Sequence, residues 1–326
     1  MDAKMEDTEH SDEGTDLLED AIYLATLEKF EEEIDYRSVL KLNQDLRAAA
    51  KMMSRDEARF NVDLYYQIQK ARLASGQQMR SLVDNVEPCL LLEWNHLNLM
   101  TQEKNVQKSL LDFASEYRVG KWLLSLHGVG PVISAGCLAH LDVRGRPTAG
   151  AFWGFAGLDN RPWNKGEKRP FCADLKRLCF NIGECFIRCK GSEKDMYGKF
   201  YTQRKAYEEE KNARLEYREQ AEVKAKIVGK TTKAYKFYIE GFLPPGHLHA
   251  RARRYCVKMF LSHLHHAMYL DYYGKEPPVP YIFTEAAPGT HTHFVEPPNF
   301  PLPTEGKTMR DLLGDEIPAT ETMSSD

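Results

Sequence analysis

A mainly α fold is expected, with a helical, coiled-coil-like N-terminal segment followed by a domain built around a helix-hairpin-helix. Three observations predict it. From about Leu17 to Tyr117, apolar residues recur at helical spacing, as in Leu40, Leu42, Leu46 and Ala50 and then Leu64, Ile68, Ala71 and Leu82, with almost no Gly or Pro. The run Leu126-His127-Gly128-Val129-Gly130-Pro131 separates two apolar flanks, Val119 to Leu126 and Val132 to Leu141, each of helix length. Helical periodicity returns in Ala173 to Cys189 and in His249 to Leu270.

Taken in order, residues 1–16 are polar, acidic and poor in aromatics, which predicts a disordered arm. Residues 17–117 predict long helices suited to packing or self-association, and no Gly-rich strand-turn-helix that could cradle a nucleotide occurs there. Residues 118–273 form the hairpin domain. Within it Asp142 to Pro147 reads as a loop, and Thr148 opens a short apolar helix that Gly157 ends. Arg161 to Pro170 is a basic connector punctuated by Pro and Gly. Ala173 to Cys189 carries Leu175, Leu178, Ile182 and Phe186 on one helical face. Ser192-Glu193-Lys194-Asp195 predicts a capping box, opening a highly charged helix that continues past Tyr217 to about Lys226. Gly241 to Gly246 breaks the chain before the last strong helix, and the prolines of residues 274–326 predict an extended or disordered tail.

The chain has 326 residues, 42% of them hydrophobic, which is enough for one large or two modest domains. No apolar run approaches the ~20 residues of a membrane span, and an acidic N-terminus does not read as a secretory signal. A cytoplasmic place is expected. Seven cysteines, an odd number with no CxxC pair, read as reduced thiols. Cys185 and Cys189 lie four apart, a spacing that buried apolar roles explain better than a metal. The net charge of −4 conceals an asymmetry: residues 1–35 hold fourteen acidic and two basic side chains, so the remainder carries +8. A basic body favours a polyanionic partner.

Gly128 and Gly130 permit a sharp turn that brings bare amides to a surface, and Pro131 suits the first position of a helix, where a missing N–H costs nothing. Free N–H groups at a helix start hold a phosphate without reading sequence, so DNA is the expected partner. The candidate phosphate ligands are Gly128, Val129 and Gly130; Lys165, Gly166, Lys168 and Arg169 of the connector; Lys176 and Arg177 after it; and Arg251, Arg254 and Lys258, which share a face of the last helix at spacings of three and four. His263, His265 and His266 lack partner ligands at matching positions, so no metal site and no cofactor are expected. Catalytic residues are not assignable from spacing. Two other readings stay open: a strand-transferase using Ser134, Tyr255 or Ser262 as nucleophile, and a coiled-coil scaffold whose hairpin is only a turn.

The order of Gly128-Val129-Gly130-Pro131, then Phe155-Ala156-Gly157-Leu158, the basic connector and Leu175-Lys176-Arg177-Leu178 resembles the C-terminal transposase domain of insertion-sequence transposases, also known as bridge-RNA-guided recombinases. Tyr197 to Tyr207 and His249 to Leu270 are similar to a variant branch of that family. The resemblance covers the central and later half of the chain. It implies a DNA-binding protein acting in DNA transposition or recombination, self-associating, with structured RNA as a further partner. Family members carry an N-terminal RuvC-like domain whose four carboxylates hold divalent metal. Here the first hundred residues read as helical throughout and match the family's helical connecting segment instead, so metal is expected only if a RuvC-like partner is supplied. The family also places a nucleophilic Ser before Gly in the connector, where this chain reads Trp163-Asn164-Lys165-Gly166 and has no Ser between Leu158 and Leu178. An amide side chain cannot form the phosphodiester-linked intermediate that a hydroxyl can.

Overall fold

The computed structural model describes residues 42–85, 89–159, 161–164, 166–284 and 294–315. The acidic arm and Lys165 lie outside them. The fold is mainly α, with twelve α-helices and no β-strand among the described residues. No helix among them is long and apolar enough to cross a membrane. In chain order the helices are α1 (Gln44–Ala50), α2 (Arg55–Asp84), α3 (Leu90–Ser115), α4 (Arg118–Ser125), α5 (Pro131–His140), α6 (Ala149–Phe155), α7 (Ala173–Arg188), α8 (Tyr197–Ala213), α9 (Arg218–Ala225), α10 (Lys233–Ile239), α11 (Pro245–Tyr273) and α12 (Met309–Leu313).

The described residues divide into two compact units, one drawn from 42–47 and 63–108, the other from 48–62 and 109–315. In the first unit α2 and α3 run antiparallel. Gln69 and Arg72 both donate to Glu103, at 3.2 and 2.5 Å, and the Ser75 hydroxyl lies 2.7 Å from His96 Nδ1. These polar clasps fix the register of two helices whose outer faces keep Leu64, Leu73 and Leu91 exposed.

In the second unit α11 is the axis, packing against α4, α6, α7, α8 and α12. Ala252, Cys256, Phe260 and Leu264, each four residues from the next, are fully buried and form its inner seam. Pro245 in the first turn starts this helix, and Gly274, in the left-handed conformation at φ +67°, ends it. Helix α5 is buried from Val132 through Ala139, and its small residues permit close approach: a Cβ on Gly136 would lie 2.7 Å from the Leu178 side chain of α7. Thr148 caps α6 by accepting the Ala151 N–H, as the sequence predicts.

Three local expectations are corrected. Asp195, rather than Ser192, supplies the acceptor at the start of α8, taking the Gly198 N–H at 2.7 Å. The single charged helix running to Lys226 is broken after Ala213, because Leu215 takes φ +59° and the chain turns into α9. The Pro-rich tail is docked where it is described. Lys307 exchanges backbone hydrogen bonds with Glu116 and Arg118, Trp122 Nε1 donates to Pro298 O at 2.7 Å, and Met309 is fully buried. Its prolines keep regular structure short, and Met309 and Leu313 of α12 supply the apolar anchor that composition conceals.

Candidate nucleic-acid interface

The chain turns sharply at Gly128, between α4 and α5. Leu126 to Val129 close a turn through Val129 N–H to Leu126 O at 3.1 Å, and Gly128 occupies its third position at φ +82°. Gly130 caps α5 in extended conformation, and Pro131 sits in the first turn. Among the described residues the backbone amides of Gly130, Val132 and Ile133 donate to no backbone carbonyl, as for any helix start. A Cβ on Gly130 would meet nothing within 4 Å, so the backbone there faces open space. Val129 plays a different part. Its side chain is buried and its N–H is taken, so it anchors the turn to the core and has nothing left to offer a phosphate. Beside the hairpin lies a cleft of 630 Å³ lined in part by His127, Gly128, Lys194 and Asn299.

The cations of α11 separate into two groups. Arg251 points to Glu208 of α8, whose carboxylate is almost fully buried and receives Arg251 Nε at 2.6 Å, Arg204 Nε at 2.8 Å and the Tyr217 hydroxyl at 2.6 Å. Burial alone would raise the Glu208 carboxyl. The hydrogen bonds from Tyr217 and Arg251, with the charges of Arg251 and Arg204, outweigh it and hold the group below the usual carboxylate range. Arg251 also stacks over the Tyr217 ring at 4.5 Å, so its place as a phosphate ligand is corrected to a structural ion pair. Arg254 is exposed and has no carboxylate within ion-pair distance among the described residues. Partial burial, then the charges of Arg251 and Arg253, lower its pKa. Lys258 lies 5.2 Å from the Trp153 ring centre, and its pKa is lowered by burial and then by Arg254. Arg254 and Lys258 thus form a crowded positive pair that an anion would relieve.

Lys168 and Arg169 of the connector, and Lys176 and Arg177 of α7, are all exposed. Gly166 takes φ +100°, which only glycine adopts readily. Arg169 lies over the Trp163 ring at 5.7 Å and Lys176 over the Phe171 ring at 4.2 Å. Arg177 is bound to Asp174 at 2.6 Å and is the most compensated of the set. Trp163, Phe171 and Arg204, which the structure brings against these cations and Tyr255, are not among the candidates that charge and helical spacing suggest. For the first two the signal was present in the sequence, as aromatics interleaved with Arg161, Lys168 and Arg169.

The three candidate nucleophiles are held without a base. Ser134 is fully buried with its hydroxyl on Gly130 O at 3.0 Å, Ser262 donates to Lys258 O at 2.9 Å, and Tyr255 has the Arg204 guanidinium over its ring at 4.8 Å. Among the described residues no histidine or carboxylate is hydrogen-bonded to any of these hydroxyls. The histidines of α11 are engaged elsewhere. His263 bridges Tyr197 OH at 2.9 Å and Val295 O at 3.1 Å, His265 pairs with Arg146 O at 3.0 Å, and His266 with Glu276 at 2.9 Å. Among the described residues no group of three or more His, Cys, Asp or Glu is placed to hold a metal ion.

Comparison of the chain with family models, with curated proteins and with solved structures finds no match.

Proposed function

We propose that this chain binds the nucleic-acid backbone without reading sequence, as a DNA-binding protein acting in transposition or recombination. The observation that carries the reading is the hairpin. Gly128 in the left-handed region, Gly130 as an open cap and Pro131 in the first turn place unpaired amides at the start of α5 with clear space before Gly130. Arg254 and Lys258 supply a second phosphate contact, and the connector cations a third. The motif order shared with insertion-sequence transposases supports the biological setting. Self-association through the exposed apolar residues of α2 and α3 belongs to the same reading, as does chemistry supplied jointly with another chain.

The test is fluorescence anisotropy with linear and four-way-branched DNA across a salt series, read beside a denaturing gel for covalent adducts. Tight binding with a steep salt slope is expected, because each neutralised phosphate adds roughly 0.9 to the slope of log affinity against log salt. Gly130→Asp fits the fold, since its backbone is extended and its Cβ meets open space, yet sets a carboxylate before the amides. It should leave the thermal melt unchanged and weaken binding about tenfold. Replacing Arg254 and Lys258 together by Ala should lower the salt slope by about two. No binding at low salt, or a Gly130→Asp protein that binds like the parent, overturns the reading.

A further inference from the structure

The connector does more than present positive charge. Its cations surround aromatic rings at a concave site. A shallow, open depression of 410 Å³ is lined by Phe155, Lys168, Arg169, Pro170, Phe171 and Cys172. Phe155 and Phe171 line it with aromatic rings and Lys168 and Arg169 with cations, and among the described residues no carboxylate lines it.

The floor is built rigidly. Cys172 N–H donates to Phe155 O at 2.9 Å, tying the end of the connector to the end of α6. Gly157, at φ +65°, lets the Phe171 ring lie against the backbone, where a Cβ would come within 2.8 Å of that ring. Trp163 stands edge-on to Phe171 with ring centres 6.4 Å apart, and its indole N–H is fixed on Glu167 O at 2.9 Å. Glu167, the nearest acid in sequence, is turned away: its two carboxylate oxygens accept the Asn164 backbone and side-chain N–H groups at 3.1 and 3.0 Å. Trp163 remains 39% exposed.

A pocket of aromatic faces under lysine and arginine matches one ligand chemistry, a flat π-system attached to a phosphate. We propose that this pocket takes a single unpaired nucleobase, stacked on Phe171 with the edge-on Trp163 ring beside it, its flanking phosphates on Lys168 and Arg169 of the lining and on Lys176 next to Phe171. The proposal rests on the nucleic-acid reading above and sharpens it. The hairpin holds backbone, whereas the connector selects strands that offer an unstacked base, such as bulges, branches and single-stranded ends. Any base presents a π-face, so the pocket recognises the unpaired state rather than a sequence.

The experiment uses the full chain and three labelled probes of equal length: a fully paired duplex, the same duplex with one bulged thymine, and the same duplex with a bulged abasic spacer. The thymine bulge should bind about tenfold more tightly than the abasic one. Trp163→Ala should abolish that preference while leaving affinity for the paired duplex unchanged, and Trp163→Phe should restore most of it. Because Trp163 is partly exposed, its replacement leaves the core intact. A bulged 5-iodouracil probe should photo-crosslink to Trp163 or Phe171. Equal affinity for the thymine and abasic bulges, with duplex binding preserved, overturns the base pocket alone. Absence of binding to all three probes overturns it together with the nucleic-acid reading. A ribonucleotide version of the bulged probe identifies the strand type, and a base-dependent preference for either sugar carries the proposal.

Discussion

Glu208 determines what the arginines around it can do. A carboxylate that is almost fully removed from water needs its partners, and Arg204, Arg251 and Tyr217 supply three hydrogen bonds to it. Removing Arg251 leaves a buried charge short of one partner, and such truncations cost roughly 3–5 kcal/mol. Arg251→Ala should therefore lower the denaturation midpoint markedly while leaving the salt slope of the folded protein unaltered. A mutant of unchanged stability with a shallower slope would return Arg251 to the interface. Helical spacing places Arg251, Arg254 and Lys258 on one face, and that much is legible in the sequence. Which of the three is consumed internally is not, because the deciding carboxylate stands 43 residues away on another helix. The glycines are more transparent, since Gly128 and Gly157 each stand where a positive φ is required.

At the scale of elements, legibility follows how local the cause is. The hairpin, α6 with its Thr148 cap, α7 and α11 are all set by short-range signals: glycine turns, proline starts and unbroken apolar seams. Elements set by distant contacts are not visible in this way. Helix α12 has five residues, too few to form alone, and exists because Thr308 and Asp311 form a capping box and Met309 finds the core. The Met309 N–H is also taken by Asp271 of α11 at 2.6 Å, so the segment is held by polar and apolar contacts together. Met309→Ala should cost about 2–5 kcal/mol, since the side chain is fully buried. Chemical denaturation measures this directly, and a loss below about 0.5 kcal/mol would show that the tail contributes little to the fold. The break between α8 and α9 belongs with these elements: its charged sequence favours helix throughout, and the positive φ at Leu215 ends it.

For the molecule as a whole, buried histidines tie stability to pH. Burial, followed by the charge of Arg59, pushes His140 down to about 4, and burial pushes His263 down to about 4 against the opposing Val295 hydrogen bond. Both are neutral in the folded protein at pH 7. In the unfolded chain each takes up its proton near pH 6.5, so between about 6.5 and 4 the unfolded state binds more protons than the folded one. Their contribution is therefore complete above pH 6.5 and is lost as the pH falls toward 4. His247, His249, His265 and His266 are lowered as well, with burial the leading cause in each, and act in the same direction. The carboxylates held low by arginine, Asp142 and Glu208, add a further loss in more acidic solution. For His263, which is nearly inaccessible, each pKa unit is worth about 1.4 kcal/mol, so the full effect is roughly 3 kcal/mol. Thermal midpoints at fixed ionic strength should stay level from pH 8 to 7 and fall steadily from 6.5 to 5, before most carboxylates titrate. His263→Gln should lower the midpoint at pH 7.5, because Tyr197 and Val295 lose a shaped partner, yet flatten the decline below 6.5. A midpoint that is constant from pH 7.5 to 5 would mean that these imidazoles are open to solvent and protonate without cost to the fold.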